Sequence, residues 1–326
     1  MLIAEGTRLF RSTNVKAKTL LAAERDKLSE SATQARATSG AASLERCQKV
    51  AGVTYRWSST VKFDANLDAV VKPPLKWAGG KRWLVPQLRA LWQAHSERRY
   101  VEPFCGGLAA PLGLRPGTAV LNDINPHLIN FYSHLQRGLE ISIAMKNEEK
   151  IFYRHRKRFN KLINEGNWQS SEAAQLFYYL NRTCFNGLCR FNQRGEFNVP
   201  FGTHKSITYS RSFIEFQPLF KRWTFRCGDM ESLPVGPDDF IYADPPYDVE
   251  FTTYSAGGFS WDDQLRTAEW LAAHPGPVVL SNQATTRIVE LYRKLGFEIS
   301  YLDGPRRISC TGDRSTAREV LAVRGL

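Results

Sequence analysis

An apolar run, Phe240-Ile241-Tyr242-Ala243, stops abruptly on Asp244-Pro245-Pro246-Tyr247. Short apolar runs of this kind read as buried strands. Each proline fixes its own φ and biases the residue before it to extended geometry, so the chain leaves the strand as a rigid loop. Asp244 then stands at the carboxyl end of a strand, the edge at which open α/β sheets bind ligands. A carboxylate and a flat ring there suit a planar group that carries N–H donors. On these four residues alone, an Asp-Pro turn that merely exits a strand remains the alternative.

At 326 residues the chain can bury one large α/β domain with an insertion, or two domains. Lys and Arg number 44 against 32 Asp and Glu, a net charge of +12, which favours a polyanionic partner over an acidic metabolite. Solubility alone accounts for part of that charge. Cys47, Cys105, Cys184, Cys189, Cys227 and Cys310 form no Cys-x-x-Cys pair and join no histidine cluster. Neither a zinc site nor a disulfide framework is indicated, and a reducing intracellular compartment fits best. No apolar run approaches a membrane span, and no charged-then-apolar leader follows Met1, so a soluble, cytoplasmic protein is expected.

Residues 1–70 read as an N-terminal extension, disordered or loosely packed, because residues 31–43 are almost all small or polar. One amphipathic helix is expected between Lys16 and Glu30, marginal without a surface to pack on. A mis-assigned translation start is another origin for the break in composition. Organisation begins at the turn-rich stretch Pro73 to Lys81, which leads into a helix with Leu84, Leu88, Leu91 and Trp92 on one face. Its glycine pair, Gly79 and Gly80, is either an anion-holding backbone or a plain helix entry. Tyr100 to Gly107 reads as a strand running into a second glycine pair, Gly106 and Gly107, and then an apolar helix. That is the nucleotide-loop arrangement, although the full G-x-G-x-x-G is absent. The next strand ends at Asn122-Asp123, with a helix from about Pro126 to Arg137. Asp123 lies 16 residues beyond Gly107, where an acidic side chain can accept from ribose hydroxyls. A helix N-cap is the competing role.

Residues 151–226 hold 13 Lys or Arg against four Glu and no Asp, a net +9. Arg154, Arg156, Lys157, Arg158 and Lys161 cluster on one expected helix, which by itself reads as a solvated face. From Asn181 to Thr203, Arg182, Arg190 and Arg194 interleave with Phe185, Phe191 and Phe197. Arginines bind phosphates or guanine edges and exposed rings wedge between bases, so this stretch is a plausible duplex-reading surface. The α/β pattern then resumes. After Trp223–Cys227, strands are expected at 239–243, 277–281, 297–302 and 319–323, with helices at 261–273 and 285–295. The loop from Asp248 to Gly258 is long enough for a lid or a DNA-contacting flap, and the arginine-rich stretch from Gly304 to Arg318 is expected to be a mobile basic loop.

Taken together, KWAGGK (Lys76 to Lys81), EPFCGG (Glu102 to Gly107), the stretch Asn181 to Gly202 and DPPY (Asp244 to Tyr247) resemble the Dam-type, D12 class, DNA adenine-N6 methyltransferases. The resemblance runs from about Pro73 to the C terminus. Its most specific part is NGLCRFNQRGEFNVPFG, from Asn186 to Gly202. It implies a Rossmann-like class I methyltransferase fold, a doubly wound α/β sheet with a C-terminal antiparallel strand, carried by residues 71–145 and 224–326. A mainly helical target-recognition domain at 146–223 would be inserted in it. The resemblance also implies S-adenosylmethionine as methyl donor, no metal, double-stranded DNA as partner, and a monomer with or without a companion restriction endonuclease. It assigns Trp77, Lys81, Phe104, Gly106, Asp123 and Asp244 to the cofactor, with Asp123 on the ribose. Lys76, Phe185, Asn186, Leu188 and Arg190 fall to DNA, Phe185 as an intercalating ring and Arg190 as a base contact. Catalysis falls to Asp244, Pro245, Pro246 and Tyr247. GATC is the site it suggests, within a family that also methylates other adenine-containing sequences. Two positions depart from the pattern: the second glycine of Phe-x-Gly-x-Gly is shifted to Gly107, and Phe185 stands where tyrosine is common.

The chemistry has its own logic. Adenine N6 is a poor nucleophile because its lone pair is delocalised into the ring. Asp244 can accept one N6 hydrogen and the Pro245 carbonyl the other, drawing the amine toward tetrahedral geometry, while Tyr247 stacks on a base that has left the duplex. Two rivals remain at this point. An RNA methyltransferase also carries Asp-Pro-Pro-Tyr, and a catalytically silent DNA-binding protein can retain a methyltransferase scaffold.

Overall fold

The computed structural model describes residues 46–50, 53–57, 71–248, 258–304 and 317–326. The apolar runs that end on polar residues become neighbours in one sheet. Its strands are β3 (Tyr100–Glu102), β4 (Ala119–Asp123), β5 (Trp223–Cys227), β6 (Phe240–Ala243), β7 (Val278–Gln283), β8 (Glu298–Gly304) and β9 (Ala317–Arg324). They lie in the order β5-β4-β3-β6-β7-β9-β8, all parallel except β9, which runs antiparallel to both of its neighbours. This is the α/β, Rossmann-like methyltransferase arrangement, with the antiparallel strand that the resemblance implies. Two further strands, β1 (Arg46–Val50) and β2 (Val53–Trp57), form a separate two-stranded sheet inside the expected N-terminal extension. The helix expected at 16–30 lies outside the described residues, as do most of the 248–258 loop and of the stretch from Gly304 to Arg318.

The central strands are apolar throughout because both of their faces are covered. Every residue of β3 and β6 is buried, as is all of β7 up to Asn282. That is the continuous, non-alternating pattern of parallel strands. Tyr100 faces Phe240 and Val101 faces Ile241 across the β3–β6 pair. Trp92 closes over the pair, its ring 5.0 Å from that of Phe240 and 5.6 Å from that of Tyr100.

Helix ends follow local chemistry. Before α3 (Pro126–Gln136) the Asn125 side chain accepts from the His127 and Leu128 amides, with Pro126 preset for the first turn. Asn125, not Asp123, is therefore the cap, which removes the structural alternative for Asp123. Ser260 and Asp263 make a capping box for α7 (Trp261–Ala273), and Thr285 caps α8 (Thr286–Lys294). Between α3 and β5 the chain forms α4 (Glu149–Asn164), α5 (Ser171–Thr183) and the short α6 (Gln217–Phe220). Helix α5 packs on α3, where the Phe131 and Tyr178 rings stack at 5.5 Å. Among the described residues no helix is long and apolar enough to cross a membrane.

Helices α1 (Val85–Trp92) and α2 (Ala109–Leu114) approach closely where Gly113 meets Val85. A Cβ on Gly113 would lie 2.6 Å from both Val85 methyl carbons. Alanine improves helix propensity by at most about 1 kcal/mol, whereas overpacking costs about 1–3 kcal/mol, and a helical valine has one preferred rotamer to retreat from. Gly113→Ala should therefore lower the urea midpoint of unfolding, by a net loss of about 1–2 kcal/mol. An unchanged or raised midpoint would mean that Val85 turns aside at a cost no larger than the gain in helix propensity.

Candidate active site

β3 is the first strand of the sheet; the chain moves from it to β4 and β5 on one side, and returns to β6 and β7 on the other. The order reverses between β3 and β6, and a ligand crevice opens beyond the carboxyl ends of the strands at such a switch point. Glu102 to Gly107 leaves β3 there and Asp244 to Tyr247 leaves β6 there. The tertiary fold thus brings together two motifs that are well over a hundred residues apart in sequence.

Both oxygens of Asp244 are held. Ser281 Oγ donates to Oδ1 at 2.8 Å, and Lys81 Nζ lies 3.1 Å from Oδ2. Ser281 is itself 3.0 Å from the buried hydroxyl of Tyr242. The Lys81 ammonium also donates to the Gly79 carbonyl at 2.8 Å and sits 4.5 Å from the centroid of the Tyr247 ring. Around four lone-pair sites belong to a carboxylate, so Asp244 keeps acceptor capacity after these two contacts. The loop after it is pinned by two buried amides. Gln264 donates to the Pro246 carbonyl at 2.7 Å, and Asn282 accepts from the Asp248 amide at 3.3 Å while donating to Gln264 at 3.0 Å and Tyr292 at 2.9 Å. Among the described residues, the Pro245 carbonyl accepts no hydrogen bond. Tyr247 donates its hydroxyl to Glu319 Oε2.

The glycine loop is shaped by Trp77. Gly106 has φ +42°, and a Cβ there would lie 2.7 Å from the Trp77 indole nitrogen; one on Gly107 would lie 2.7 Å from the Trp77 Cβ. Both glycines are thus needed for Trp77 to lie against the backbone, which answers the shifted spacing of the motif. Tyr132, fully buried on α3, donates to the Gly106 carbonyl at 2.6 Å. Asp123 accepts from the Gly106 amide at 3.1 Å and from the Asn125 amide at 2.9 Å. Burial pushes its carboxyl up to about 6, against the pull of those two amides. With about four lone-pair sites, the carboxylate keeps acceptor capacity beyond those two amides. Beside it Ile124 is 66% exposed, an apolar face next to the acidic group. Phe104, half-buried, meets Phe259 edge to face at 5.9 Å.

The recognition stretch divides sharply. Phe197 is buried, Phe191 stacks on His127 at 4.9 Å, and only Phe185 of the three rings stands out, 49% exposed. It precedes a backbone in the left-handed region at Asn186 (φ +53°) and Gly187 (φ +66°). A Cβ on Gly187 would run into the Lys76 side chain. Asn181, buried on α5, accepts from the Lys76 amide at 2.9 Å and donates to the Lys76 carbonyl at 2.7 Å and the Gly187 carbonyl at 3.2 Å. Lys76 and the loop from Phe185 are therefore fixed to each other by one side chain. Leu188 is half-buried, its carbonyl accepting from the Cys184 thiol at 3.3 Å. Arg190 is exposed and donates through Nε to Asn198 at 2.9 Å. Arg182 donates to the Pro74 carbonyl at 2.7 Å, a structural tie. The charge run on α4 splits in the same way: Arg156 donates to Val199, Arg158 makes a bidentate pair with Glu172 and Lys161 lies 3.6 Å from Glu165, while Arg154, Lys157 and Lys161 are exposed.

Sequence reasoning missed Ser281, Glu319, Asn181, Tyr132 and Ile124. Ser281 and Asn282 carried a faint signal, as polar residues closing a wholly apolar strand. Glu319 carried none, since nothing local marks a glutamate on a terminal strand.

The family model described as D12 class N6 adenine-specific DNA methyltransferase matches residues 77–308. Retron Ec67 DNA adenine methylase of Escherichia coli is 34% identical over 267 residues, covering 77% of this chain and 90% of that protein. A DNA adenine methylase of Vibrio cholerae is 36% identical over 274 residues, covering 76% and 94%. The type II methyltransferase M.MjaIII of Methanocaldococcus jannaschii is 31% identical over 279 residues, covering 75% and 95%. These matches span both sides of the switch-point crevice and the recognition stretch between them. The chain belongs to the D12 class of N6 adenine-specific DNA methyltransferases.

Proposed function

We propose that this chain transfers a methyl group from S-adenosylmethionine to N6 of an adenine flipped out of a short site in duplex DNA, with residues 71–145 and 224–326 as catalytic domain and 146–223 as recognition domain. One observation carries the reading. At the carboxyl end of β6, Asp244 is held by Ser281 and Lys81 with acceptor capacity to spare, and the neighbouring Pro245 carbonyl accepts no hydrogen bond among the described residues. Two acceptors side by side match the two hydrogens of an exocyclic amine. Asp244 and Pro245 localise the N6 lone pair by taking those hydrogens, Pro246 keeps the loop rigid, and Tyr247 stacks on the base. S-adenosylmethionine supplies an electrophilic methyl on a sulfonium, which leaves as the neutral thioether when N6 forms the new bond. Asp244 then takes the surplus N6 proton and passes it to solvent.

The cofactor face fits the residues present. Asp123 keeps acceptor capacity beyond its two amide donors for ribose hydroxyls, Ile124 offers an apolar platform for a purine, and the Gly106 and Gly107 backbone is open to close approach, with Trp77, Lys81 and Phe104 around it. On the DNA face, Phe185 fills the gap left by the flipped base, while Arg190, Lys76, Asn186 and Leu188 contact the site. Arg154, Lys157 and Lys161 stand outward, as phosphate contacts require.

Asp244→Ala should lower turnover by about 10²–10⁴-fold while DNA affinity changes little. Tritium transfer to unmethylated duplex DNA, with RNA as the parallel substrate, measures this; retained turnover removes Asp244 from the chemistry, and preference for RNA overturns the substrate. GATC is the first sequence to assay. Arg190→Ala should cost about 1–3 kcal/mol and relax one base position; a uniform loss on all sequences would instead make it a phosphate contact. Ribose hydroxyls favour the ionised carboxyl of Asp123, so its pKa falls when the cofactor binds. Cofactor affinity is then full above pH 6 and weakens as pH drops through about 6, by up to roughly tenfold per unit. Calorimetric titration of S-adenosylmethionine across this range reads it, and a flat profile refutes the contact.

A further inference from the structure

Glu319 is a buried carboxyl, 8% exposed, to which the mechanism above gives no work. It lies on β9, opposite Gln283 of β7 on one side and Leu302 of β8 on the other. Burial raises its carboxyl, and the Lys81 ammonium pulls the other way. A buried carboxyl is costly unless strong partners offset its desolvation. Its hydrogen-bond donor is the hydroxyl of Tyr247. Room for it is made by Gly304 at the end of β8, where any Cβ would run into the Glu319 carboxyl. The packing of two strands is thus arranged around one contact to the ring at the end of the Asp-Pro-Pro-Tyr loop.

We propose that Glu319 is a positioning residue, which holds the Tyr247 ring in the plane that receives the target base, with Gly304 as its clearance. The inference rests on the reading of Tyr247 as the stacking ring. The physical argument concerns torsions. Rotation of a tyrosine ring about χ2 has broad wells, so a ring attached only at its Cα presents no fixed plane. A phenolic O–H prefers the ring plane, because the oxygen lone pair conjugates with the ring. An acceptor fixed on β9 therefore sets the direction of the Cβ–Oη axis and also biases the rotation about it. The loop backbone, pinned by Gln264 and Asn282, holds one end of the ring, and Glu319 holds the other. Lys81 lies against the ring, 4.5 Å from its centroid. Since N6 must be aligned with the methyl group, a small tilt of the stacked base lowers turnover without altering cofactor contacts.

The test uses the full chain, methylation-free plasmid DNA and tritiated S-adenosylmethionine, and so works whatever the target sequence is. Glu319→Ala and Tyr247→Phe should each lower kcat by about tenfold, the usual worth of a hydrogen bond to a charged group, with the cofactor Kd changed by less than about twofold. Glu319→Gln keeps an acceptor of the same reach and should restore most of the rate. The double variant Tyr247→Phe with Glu319→Ala should be no worse than either single change, because both remove the same contact. Wild-type turnover in Glu319→Ala, equal loss in Glu319→Gln, or additive losses in the double variant would overturn the proposal. Tyr247→Ala tests the underlying reading separately: if it turns over normally, the stacking role of Tyr247 fails whatever Glu319 does.

Discussion

The reversal of strand order between β3 and β6 is the constraint on which the rest of the molecule depends. Connections from these neighbours leave toward opposite sides of the sheet, so the space beyond their carboxyl ends is left for a ligand. The groups assembled there come from the carboxyl ends of buried strands and from the loops that follow them, and from one residue of the antiparallel strand β9. Gly106 and Asp123 enter from β3 and β4, Asp244 from β6, Ser281 from β7, and Glu319 from β9. A parallel sheet gives these groups a common edge because all of its parallel strands end on the same side. The antiparallel β9 adds a group that points into the same region from a chain running the other way.

Such a site is polar and buried together, which is expensive unless each group has partners. The chain meets this by connecting its polar groups in series. Tyr242, Ser281 and Asp244 form one line, and Asn282, Gln264 and the Pro246 carbonyl form another, with Tyr292 and the Asp248 amide on the same asparagine. The consequence is a loop whose shape does not depend on a bound ligand. In the proposed reaction this rigidity lets Asp244 and Pro245 meet N6 without reorganising first. On the side proposed to face DNA, Asn181 plays the corresponding role. Its carboxamide imitates a strand neighbour for Lys76, taking both backbone groups of that residue, and reaches Gly187 with the same amide nitrogen. The Trp77 ring that follows Lys76 lies on the Gly106 and Gly107 backbone. Recognition loop and glycine loop are therefore joined through two consecutive residues. A movement at Phe185 has a short mechanical route to the proposed cofactor face.

Much of this was legible in the sequence. Strand and helix positions from Leu84 onward follow from apolar spacing and cap residues, which act locally. The expected helix at 261–273 coincides with the observed one, and the other expected elements of the α/β part differ by a residue or two at their ends, where capping rather than periodicity decides. Asp244, Asp123 and Gly106 stood out because a carboxylate or glycine at the end of an apolar run is a local event. The recognition stretch was only half legible. Phe185, Phe191 and Phe197 look equivalent in sequence, and only the fold buries Phe197, stacks the half-buried Phe191 on His127 and exposes Phe185. The same holds for Arg156 and Arg158, which are tied to the Val199 carbonyl and to Glu172, and for Arg154 and Lys157, which are exposed.

What the sequence by itself determined is most of the strands of the main sheet, the rigidity of the Asp-Pro-Pro-Tyr loop and the chemical character of its carboxylate, since these depend on φ, ψ and neighbours in the chain. What only the tertiary structure decided is who touches that loop. Ser281, Glu319, Lys81 and Asn181 owe their positions to strand order and helix packing between segments far apart in sequence, and no local pattern records a contact of that kind.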